Sequence, residues 1–322
     1  MTDLDQYQAD ANEWGISLRE RFELDVHVRE GLKPLDQMTT EDHEEEDFRG
    51  KVGDVLIANR LFSKAKRYME CSRFGCRLQC QGEAKHEFFS PLYCDLRFCP
   101  RCGPRQYARL VAKYSPVLTH VQTHSKRGYL LRELTFTSKN TGSLISEQIR
   151  RFNEDVKKTL EKLMRNVKDW GAIWCDEVGF DNTNLHAHVL FYGPYIEQER
   201  LAEVWRQVSG FEVVYIRKAH ASGILALRHL LKYVSKPPSR NPETIGLLEV
   251  AFHDRRRVHA VRVFYNFAGA DPDNLESKWD KCPECGAPLS RLPGIHRIEE
   301  LALQGLKFIG SDCLKRRPKW TN

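Results

Sequence analysis

Two histidines one residue apart, His186 and His188, occur in the segment "NTNLHAHVLFYGPY" at residues 182–195. The segment is rich in aliphatic and aromatic residues, which predicts a β-strand, and alternation along a strand places both imidazoles on one face. Imidazole nitrogens bind divalent metal ions and also transfer protons. In a chain with 12 histidines among 322 residues such a pair arises readily by chance. Its interpretation therefore depends on what the neighbouring elements supply.

The segment before the histidines supplies two carboxylates, Asp176 and Glu177. "GAIWCDEVGF" predicts a second strand, and turn-forming residues separate it from the first, so the two strands are predicted to form a hairpin. A turn about residues 182 and 183 places Glu177 directly opposite His188. The sequence thus predicts a metal site of two imidazoles and one carboxylate, with Asp176 as the ligand if the register shifts by one residue.

A tyrosine follows on a predicted helix. The segment "GILALRHLLKYVSKPP" has the spacing of an amphipathic helix that ends before two prolines. The apolar stripe consists of Leu227, Leu231 and Val234. Tyr233 lies on the flank of this stripe, with His229 one turn earlier and Lys236 one turn later. The phenol is a candidate nucleophile near a cation, and the alternative is a residue that packs at the edge of the core.

Ten cysteines fall into groups with the spacing of metal sites. Six lie within 32 residues, namely Cys71, Cys76, Cys80, Cys94, Cys99 and Cys102. No segment predicts secretion, so thiolates that bind zinc are favoured over disulfides. We expect one structural zinc held by Cys80, Cys99 and Cys102. Its fourth ligand is Cys94 or an upstream cysteine, which leaves Cys71 and Cys76 as alternates.

The remaining cysteines are spaced more widely. Cys282 and Cys285 form the motif "CPECG", which predicts a second zinc knuckle completed by His296 or Cys313. Cys175 is isolated in the sequence, and we interpret it as a small core residue.

The charge is distributed unevenly along the chain. Residues 1–50 hold 15 acidic and 5 basic residues, so a chain with a net charge of +6 carries +16 beyond residue 50. Such a basic body is typical of nucleic-acid-binding proteins, because Lys and Arg displace counterions from phosphates; a merely soluble basic surface is the alternative. Arg101, Arg105 and Arg109 are candidates for DNA contacts. The acidic run at 41–48 is interpreted as solvated and partly disordered.

The order of predicted elements is strand, helix, strand hairpin, helix, strand, helix, with a further strand-like segment from residue 258. An adjacent hairpin favours an α+β fold, in which helices cover one face of an antiparallel sheet, over a doubly wound parallel sheet. Four regions are expected: an acidic, partly disordered or helical region at 1–65, a cysteine-rich zinc module at 66–125, a catalytic domain at 126–270, and a zinc knuckle with a basic tail at 271–322. No apolar run predicts membrane insertion, and we expect a cytoplasmic protein.

Three motifs in this order resemble a known family. "E-x8-H-A-H-V-L" and "K-Y-V-S-K" resemble the HUH endonuclease superfamily, whose members are histidine-hydrophobe-histidine nickases. "C-x4-C-P-x-C-x2-R", at Cys94, Cys99, Cys102 and Arg105, is similar to the cysteine motif that precedes the catalytic domain of plasmid rolling-circle replication initiators. The resemblance covers roughly residues 76–240.

The resemblance implies roles for individual residues. His186, His188 and Glu177 would bind Mg²⁺ or Mn²⁺, Tyr233 would be the covalent nucleophile, and Lys236 matches the lysine that follows it. The implied substrate is a replication origin, as single-stranded or hairpin DNA, with a host helicase and polymerase as partners. One departure is His229, because some single-tyrosine initiators have at this position a glutamate that activates water.

Two other functions remain open at this point. A single-strand DNA transposase of the same superfamily uses the same chemistry, and a non-catalytic zinc-ribbon DNA-binding regulator would leave the histidines incidental. Trp174, Tyr192 and Tyr195 are candidates for stacking on bases, with ordinary core packing as the alternative for each.

Overall fold

The computed structural model describes residues 40–139, 146–179, 184–220, 222–235, 239, 241–266 and 281–309. Lys236, Cys313 and the predicted turn at residues 182 and 183 lie outside the described residues. The chain divides into two compact units. The first unit comprises Met1–Phe48, Met69–Cys94 and Leu275–Asn322, and the second comprises Arg49–Tyr68 and Asp95–Asn274.

The described elements, in chain order, are α1 (Thr40–Ala58), α2 (Phe62–Met69), β1 (Phe74–Cys80), β2 (Glu87–Pro91), α3 (Gly103–Thr123), β3 (Leu130–Thr137), α4 (Ser146–Leu163), β4 (Gly171–Val178), β5 (Leu185–Gly193), α5 (Gln198–Ser209), β6 (Val214–Lys218), α6 (Gly223–Ser235), α7 (Pro242–Ala251), β7 (Val258–Arg262), α8 (Val263–Asn266), β8 (Leu289–Arg291), β9 (His296–Arg297), α9 (Ile298–Leu303) and β10 (Lys307–Phe308). Within the described ranges, none of these helices combines the length and the apolar character that a membrane crossing needs.

The acidic run at 41–48 is helical, so the prediction of partial disorder there is wrong. The run forms the first part of α1, where glutamate has a high helix propensity and negative charge interacts favourably with the helix dipole. The helix ends at Ala58, and Arg60 adopts a left-handed backbone with φ of 60° before α2 begins.

The sheet of the first unit combines two distant parts of the chain. Its strand order is β10-β2-β1-β8, with β9 also paired to β1. All pairs are antiparallel except β10 with β2. The segment 281–309, interpreted from the sequence as a separate knuckle, therefore supplies three of the five strands.

The sheet of the second unit has the order β6-β3-β5-β4-β7, and every neighbouring pair is antiparallel. The α+β class with an antiparallel sheet and helices is thus confirmed. The strand-like segment from residue 258 forms only β7, because Arg262 adopts a left-handed backbone with φ of 57° and α8 follows.

Helices cover both faces of this second sheet, which adds a layer to the predicted architecture. On one face Phe136 and Phe152 meet the buried Trp205 of α5 edge-on, with ring centroids 4.8 and 6.0 Å apart. On the other face α3 and α6 pack over Cys175 and Leu190 in a second core cluster. The central strands β4 and β5 carry apolar residues on both faces, so both faces must be shielded from water.

Candidate active site

The hairpin β4–β5 sets which side chains share the histidine face. Glu177 pairs with His186, and Cys175 pairs with His188. The prediction that Glu177 pairs directly with His188 is therefore wrong by two residues. Regular pairing ends at Val178, and the Gly179 amide donates to the Asn184 carbonyl at 3.2 Å, so the connection is longer than a two-residue turn. A shift of two residues keeps Glu177 on the histidine face.

Glu177 reaches His188 diagonally. Its Oε2 lies 2.6 Å from His188 Nε2, within the range of diagonal cross-strand neighbours. Asp176, the alternative ligand, points to the opposite face and is fully buried. There its Oδ2 accepts a hydrogen bond from Asn153 Nδ2 at 2.9 Å and lies 3.2 Å from His259 Nε2. The geometry therefore favours Glu177 as the carboxylate beside the two histidines.

His186 is held by the neighbouring strand β3. Its Nδ1 lies 3.0 Å from Thr137 Oγ1, which leaves Nε2 for another partner. Burial lowers the pKa of His186, which favours the neutral imidazole that metal binding requires. The His186 and His188 ring centroids are 6.5 Å apart.

The donor set of His186, His188 and Glu177 suits a divalent cation by chemistry, with two imidazoles and one carboxylate. The ligand atoms are not yet gathered around one point. Within the described ranges, the groups whose donor atoms all lie within 4.8 Å of one another do not include this set. Glu177 and His188 instead contact each other directly, so a cation would replace that contact.

Tyr233 lies against the histidine face. Its ring is parallel to the His188 ring, with centroids 4.2 Å apart and an interplanar angle of 6°. The stripe of Leu227, Leu231 and Val234 is buried, which leaves Tyr233 at its half-buried flank. Burial, with a contribution from the Glu177 carboxylate, raises the pKa of Tyr233 to about 12.

A buried arginine, Arg257, holds the end of α6. Its Nη2 donates to the Tyr233 carbonyl at 2.6 Å, and its Nη1 donates to the carbonyls of Val234 at 3.3 Å and Arg97 at 3.1 Å. The last carbonyls of a helix lack partners within the helix, so this guanidinium completes their hydrogen bonding. Arg257 thereby anchors the backbone of the candidate nucleophile.

A pocket opens beside His188 and Tyr233, lined also by Glu133, Arg217 and His229. Glu133 was not predicted from the sequence, although in "LLRELTFTS" it alternates with the core residues of β3. Its Oε2 accepts from Arg217 Nε at 2.7 Å, and its Oε1 lies 3.7 Å from His229 Nδ1.

His229 itself occupies a position that favours its neutral form. Its Nε2 lies 2.9 Å from Lys232 Nζ. Because an ammonium group only donates, Nε2 accepts this hydrogen bond. Burial and the Lys232 charge lower the pKa of His229.

The aromatic residues considered for base stacking separate clearly. Trp174 is buried on the far face, where it stacks on His259, and Tyr192 is also buried, so both are packing residues. Tyr195 is exposed, with Arg132 over its ring at 5.1 Å. Tyr215, which was not predicted, is 66% exposed on the edge strand β6.

Cys175 and the arginines after the C-P-x-C motif have structural surroundings. Cys175 is fully buried in the core, as expected, and burial raises the pKa of its thiol to about 12. Arg105 and Arg109 approach the carboxylate of Asp95, at 3.3 and 3.6 Å. Their DNA contacts, like those of Arg101, stay predictions.

Two groups of side chains could each hold a metal ion such as zinc. The groups are Cys71, Cys94, Cys99 and Cys102, and Cys80, His86, Cys282 and Cys285. Cys80 therefore does not join Cys99 and Cys102, and Cys76 belongs to neither group among the described residues. The prediction failed because β1 carries Cys80 towards the C-terminal segment.

The fourth member of the second group is also not the predicted one. His86 completes it, whereas His296 lies in β9 and pairs with Gly75. The spacing C-x5-H from Cys80 was the available signal, because a hairpin follows Cys80 and brings His86 back to it.

Comparison with known proteins connects the second unit with replication. Residues 132–238, about a third of the chain, match a family model of replication-associated proteins, the ORF2 family. The matched segment begins in β3 and includes the histidine strand and Tyr233. No curated protein and no solved structure matches the chain. A replication-associated family implies interaction with DNA and is consistent with a replication initiator.

Proposed function

We propose that the protein is a rolling-circle replication initiator that nicks and rejoins one DNA strand at an origin, with Tyr233 as the nucleophile. One observation carries the proposal. The Tyr233 ring lies parallel to the His188 ring at 4.2 Å, within the segment that matches a replication-associated family. A tyrosine that only fills the edge of a core has no need to stack on a polar ring beside a carboxylate.

In the proposed reaction the Tyr233 oxygen attacks the phosphorus of a phosphodiester in single-stranded DNA, and the P–O3′ bond breaks. The phenol gives up its proton, and the departing 3′ oxygen takes one up. The products are a 5′-phosphotyrosine bond and a free 3′-OH. Because the bond exchange conserves the phosphate ester, a 3′-OH can attack in reverse and rejoin the strand.

The free 3′-OH would prime a host polymerase. The sequence contains no G-x-x-x-x-G-K-[ST] motif for nucleotide triphosphates. Unwinding is therefore assigned to a host helicase.

His186, His188 and Glu177 would hold Mg²⁺ or Mn²⁺ on the sheet. When bound, such a cation supplies Lewis-acid stabilisation of the charge that develops on the phosphate. The chain itself keeps the Tyr233 phenol protonated at neutral pH, because burial and Glu177 raise its pKa. The proposal therefore requires a divalent cation for nicking.

Glu133 and His229 are proposed to release the covalent intermediate by hydrolysis. The Glu133 carboxylate orients the imidazole through Nδ1, and Nε2 is the nitrogen that would take a proton from water. Lys232, which now donates to Nε2, would give way to that water. This pair would replace the glutamate that some initiators have four residues before the tyrosine.

The substrate strand is proposed to cross the sheet towards β6. Tyr215 and Arg217 both lie on this edge strand, and Tyr215 is paired with Thr135, which is itself paired with His188. An exposed ring beside a guanidinium offers stacking to a base and charge to a phosphate. Single-stranded DNA suits such a surface, because its bases are free to stack.

The test is a covalent adduct with single-stranded DNA. A random-sequence oligonucleotide pool with and without a hairpin, fluorescent at the 3′ end, is incubated with the full chain and Mn²⁺ or Mg²⁺. The label stays with the fragment that carries the 5′ phosphate, so the protein becomes fluorescent on a denaturing gel. We expect an adduct with the native chain and none with Tyr233→Phe.

Tyr195→Phe is the matched control, because it removes an exposed phenol from the same unit and should retain the adduct. Peptide mapping should locate the nucleotide on Tyr233. An adduct that persists in Tyr233→Phe, or the lack of an adduct in the native chain with every pool, would overturn the proposal.

Glu133→Gln separates release from nicking. We expect the adduct to form within about threefold of the native rate, because the residue does not contact the phenol in the proposed step. Its hydrolysis should slow by at least tenfold. Unchanged hydrolysis would remove Glu133 and His229 from the proposed role.

A further inference from the structure

The group Cys80, His86, Cys282 and Cys285 lies entirely within the first unit and does not depend on the proposed nicking activity. Its four ligand atoms all lie within 4.8 Å of one another. Cys80 Sγ is 3.2 Å from Cys285 Sγ, and Cys282 Sγ is 3.4 Å from His86 Nδ1. All three cysteines are free thiols. Three sulfurs and one nitrogen directed at a common point match a tetrahedral donor set.

Two turns shape the backbone around these sulfurs. The Gly82 amide donates to Cys80 Sγ at 3.2 Å, a contact that offsets negative charge on a thiolate. The Cys80 amide donates to the His86 carbonyl at 2.8 Å, which closes the β1–β2 turn and returns His86 to Cys80. In the "CPECG" turn the Gly286 amide donates to the Cys282 carbonyl at 2.8 Å, and Gly286 has a φ of +73°.

The space between the turns is also restricted. A Cβ at Gly82 would lie 3.2 Å from Cys80 Sγ and 3.3 Å from Cys285 Sγ. Both are closer than ordinary van der Waals contact. Glycine at position 82 therefore keeps the space around the two sulfurs open.

A carboxylate orients the histidine from behind. Glu284 Oε2 lies 3.2 Å from His86 Nε2, on the ring nitrogen that faces away from the sulfurs. Lys307 pairs with the other oxygen of Glu284. A carboxylate that accepts from the second nitrogen fixes the imidazole tautomer, which is the usual surrounding of a metal-binding histidine.

The geometry points to a closed structural Zn²⁺ site formed by Cys80, His86, Cys282 and Cys285, which fastens the segment 281–309 to the β1–β2 hairpin. Thiolates and imidazole are the ligands zinc prefers over Mg²⁺ or Ca²⁺, and four protein ligands leave no open position for catalysis.

The fastening role follows from the chain positions of the ligands. Cys80 and Cys285 are 205 residues apart, on either side of the proposed nicking segment. The apolar cluster beneath them is small, with Leu78, Phe88 and Ile309 next to Cys80 and Cys282. A small core is commonly reinforced by a metal, because apolar burial alone supplies little stability.

Zinc content of the full chain gives the first test. Metal analysis after exhaustive dialysis should show one zinc equivalent fewer for Cys285→Ser than for the native chain. Cys285 is exposed, so its replacement should not disturb the core. Cys76→Ala is the matched control, because Cys76 is buried in the same strand outside both groups, and it should retain the native zinc content.

Two further variants separate ligation from general damage. His86→Cys preserves four ligands and should restore the zinc that His86→Ala loses. Glu284→Gln should weaken zinc roughly 10- to 100-fold in competition with a chelator. With Co²⁺ in place of zinc, the native chain should give the visible bands of tetrahedral thiolate-bound cobalt, and Cys285→Ser should lose part of them.

Trypsin tests the fastening role. Zinc should protect the cleavage sites at Arg291 and Arg297, and Cys285→Ser should expose them in the otherwise folded chain. Equal zinc content in Cys285→Ser and the native chain would overturn the site, and equal protection would overturn the fastening. Neither readout uses DNA, so failure here is distinguishable from failure of the nicking assay.

Discussion

Arg257→Ala should destabilise the second unit and uncouple Tyr233 from its support. The guanidinium is 6% exposed and donates to three carbonyls, two of them at the end of α6. It is also one of the cations whose charge acts on the buried carboxylate of Glu249. Removing it leaves buried acceptors and a buried acid with less compensation.

The magnitude follows from that arrangement. A hydrogen bond from a charged donor contributes about 1.5–3 kcal/mol, and bonds that share one group do not add fully. Removing one partner of a buried charged network typically costs about 3–5 kcal/mol in the free energy of unfolding. We expect a loss in that range for Arg257→Ala. Arg257→Lys keeps the charge but not the planar fork, so about half of the loss should remain.

The assay is urea unfolding followed by tryptophan fluorescence, with adduct formation measured on the fraction that stays folded. Arg256→Ala is the control, because Arg256 is exposed beside Arg257 and its loss should change the free energy of unfolding by no more than about 0.5 kcal/mol. Arg257→Lys should lower the adduct rate without preventing folding. If Arg257→Ala unfolds within about 1 kcal/mol of the native chain, the assigned anchoring is incorrect.

Three further outcomes test the packing. Trp205→Ala should cost about 3–5 kcal/mol in the free energy of unfolding, because the ring fills the core beside Phe136 and Phe152; a loss below about 1 kcal/mol would contradict that. Asn241→Ala should cost about 1 kcal/mol by thermal unfolding, since its side chain accepts from two amides at the start of α7, and Asn241→Asp should retain the stability. Cys175 should resist iodoacetamide in the folded chain at about pH 8, because burial removes its thiol from solvent and raises its pKa, and peptide mass spectrometry that finds it labelled without unfolding would disprove this.

Local periodicity was sufficient to assign several residues to their faces. Alternation along a strand places Glu177, His186 and His188 together for any register that shifts by an even number of residues. The helical stripe likewise places Tyr233 at the flank of α6. These relations depend only on nearest neighbours along the chain, so the sequence alone determined them.

Contacts between distant segments were decided by tertiary structure. The connection between β4 and β5 set the register, so His186 rather than His188 faces Glu177 across the strands. Glu133 comes to His229 only because β3 lies beside β5 and α6 packs over both.

The cysteines show the same division. Their types and C-x2-C spacings determined that metal sites exist as candidates, and the motif "CPECG" identified one knuckle from the sequence. Which thiols share a group was decided by the pairing of β1 with β8 across more than 200 residues. Ligand spacing fixes only the local turn, whereas closure of a long loop depends on the whole sheet that brings its ends together.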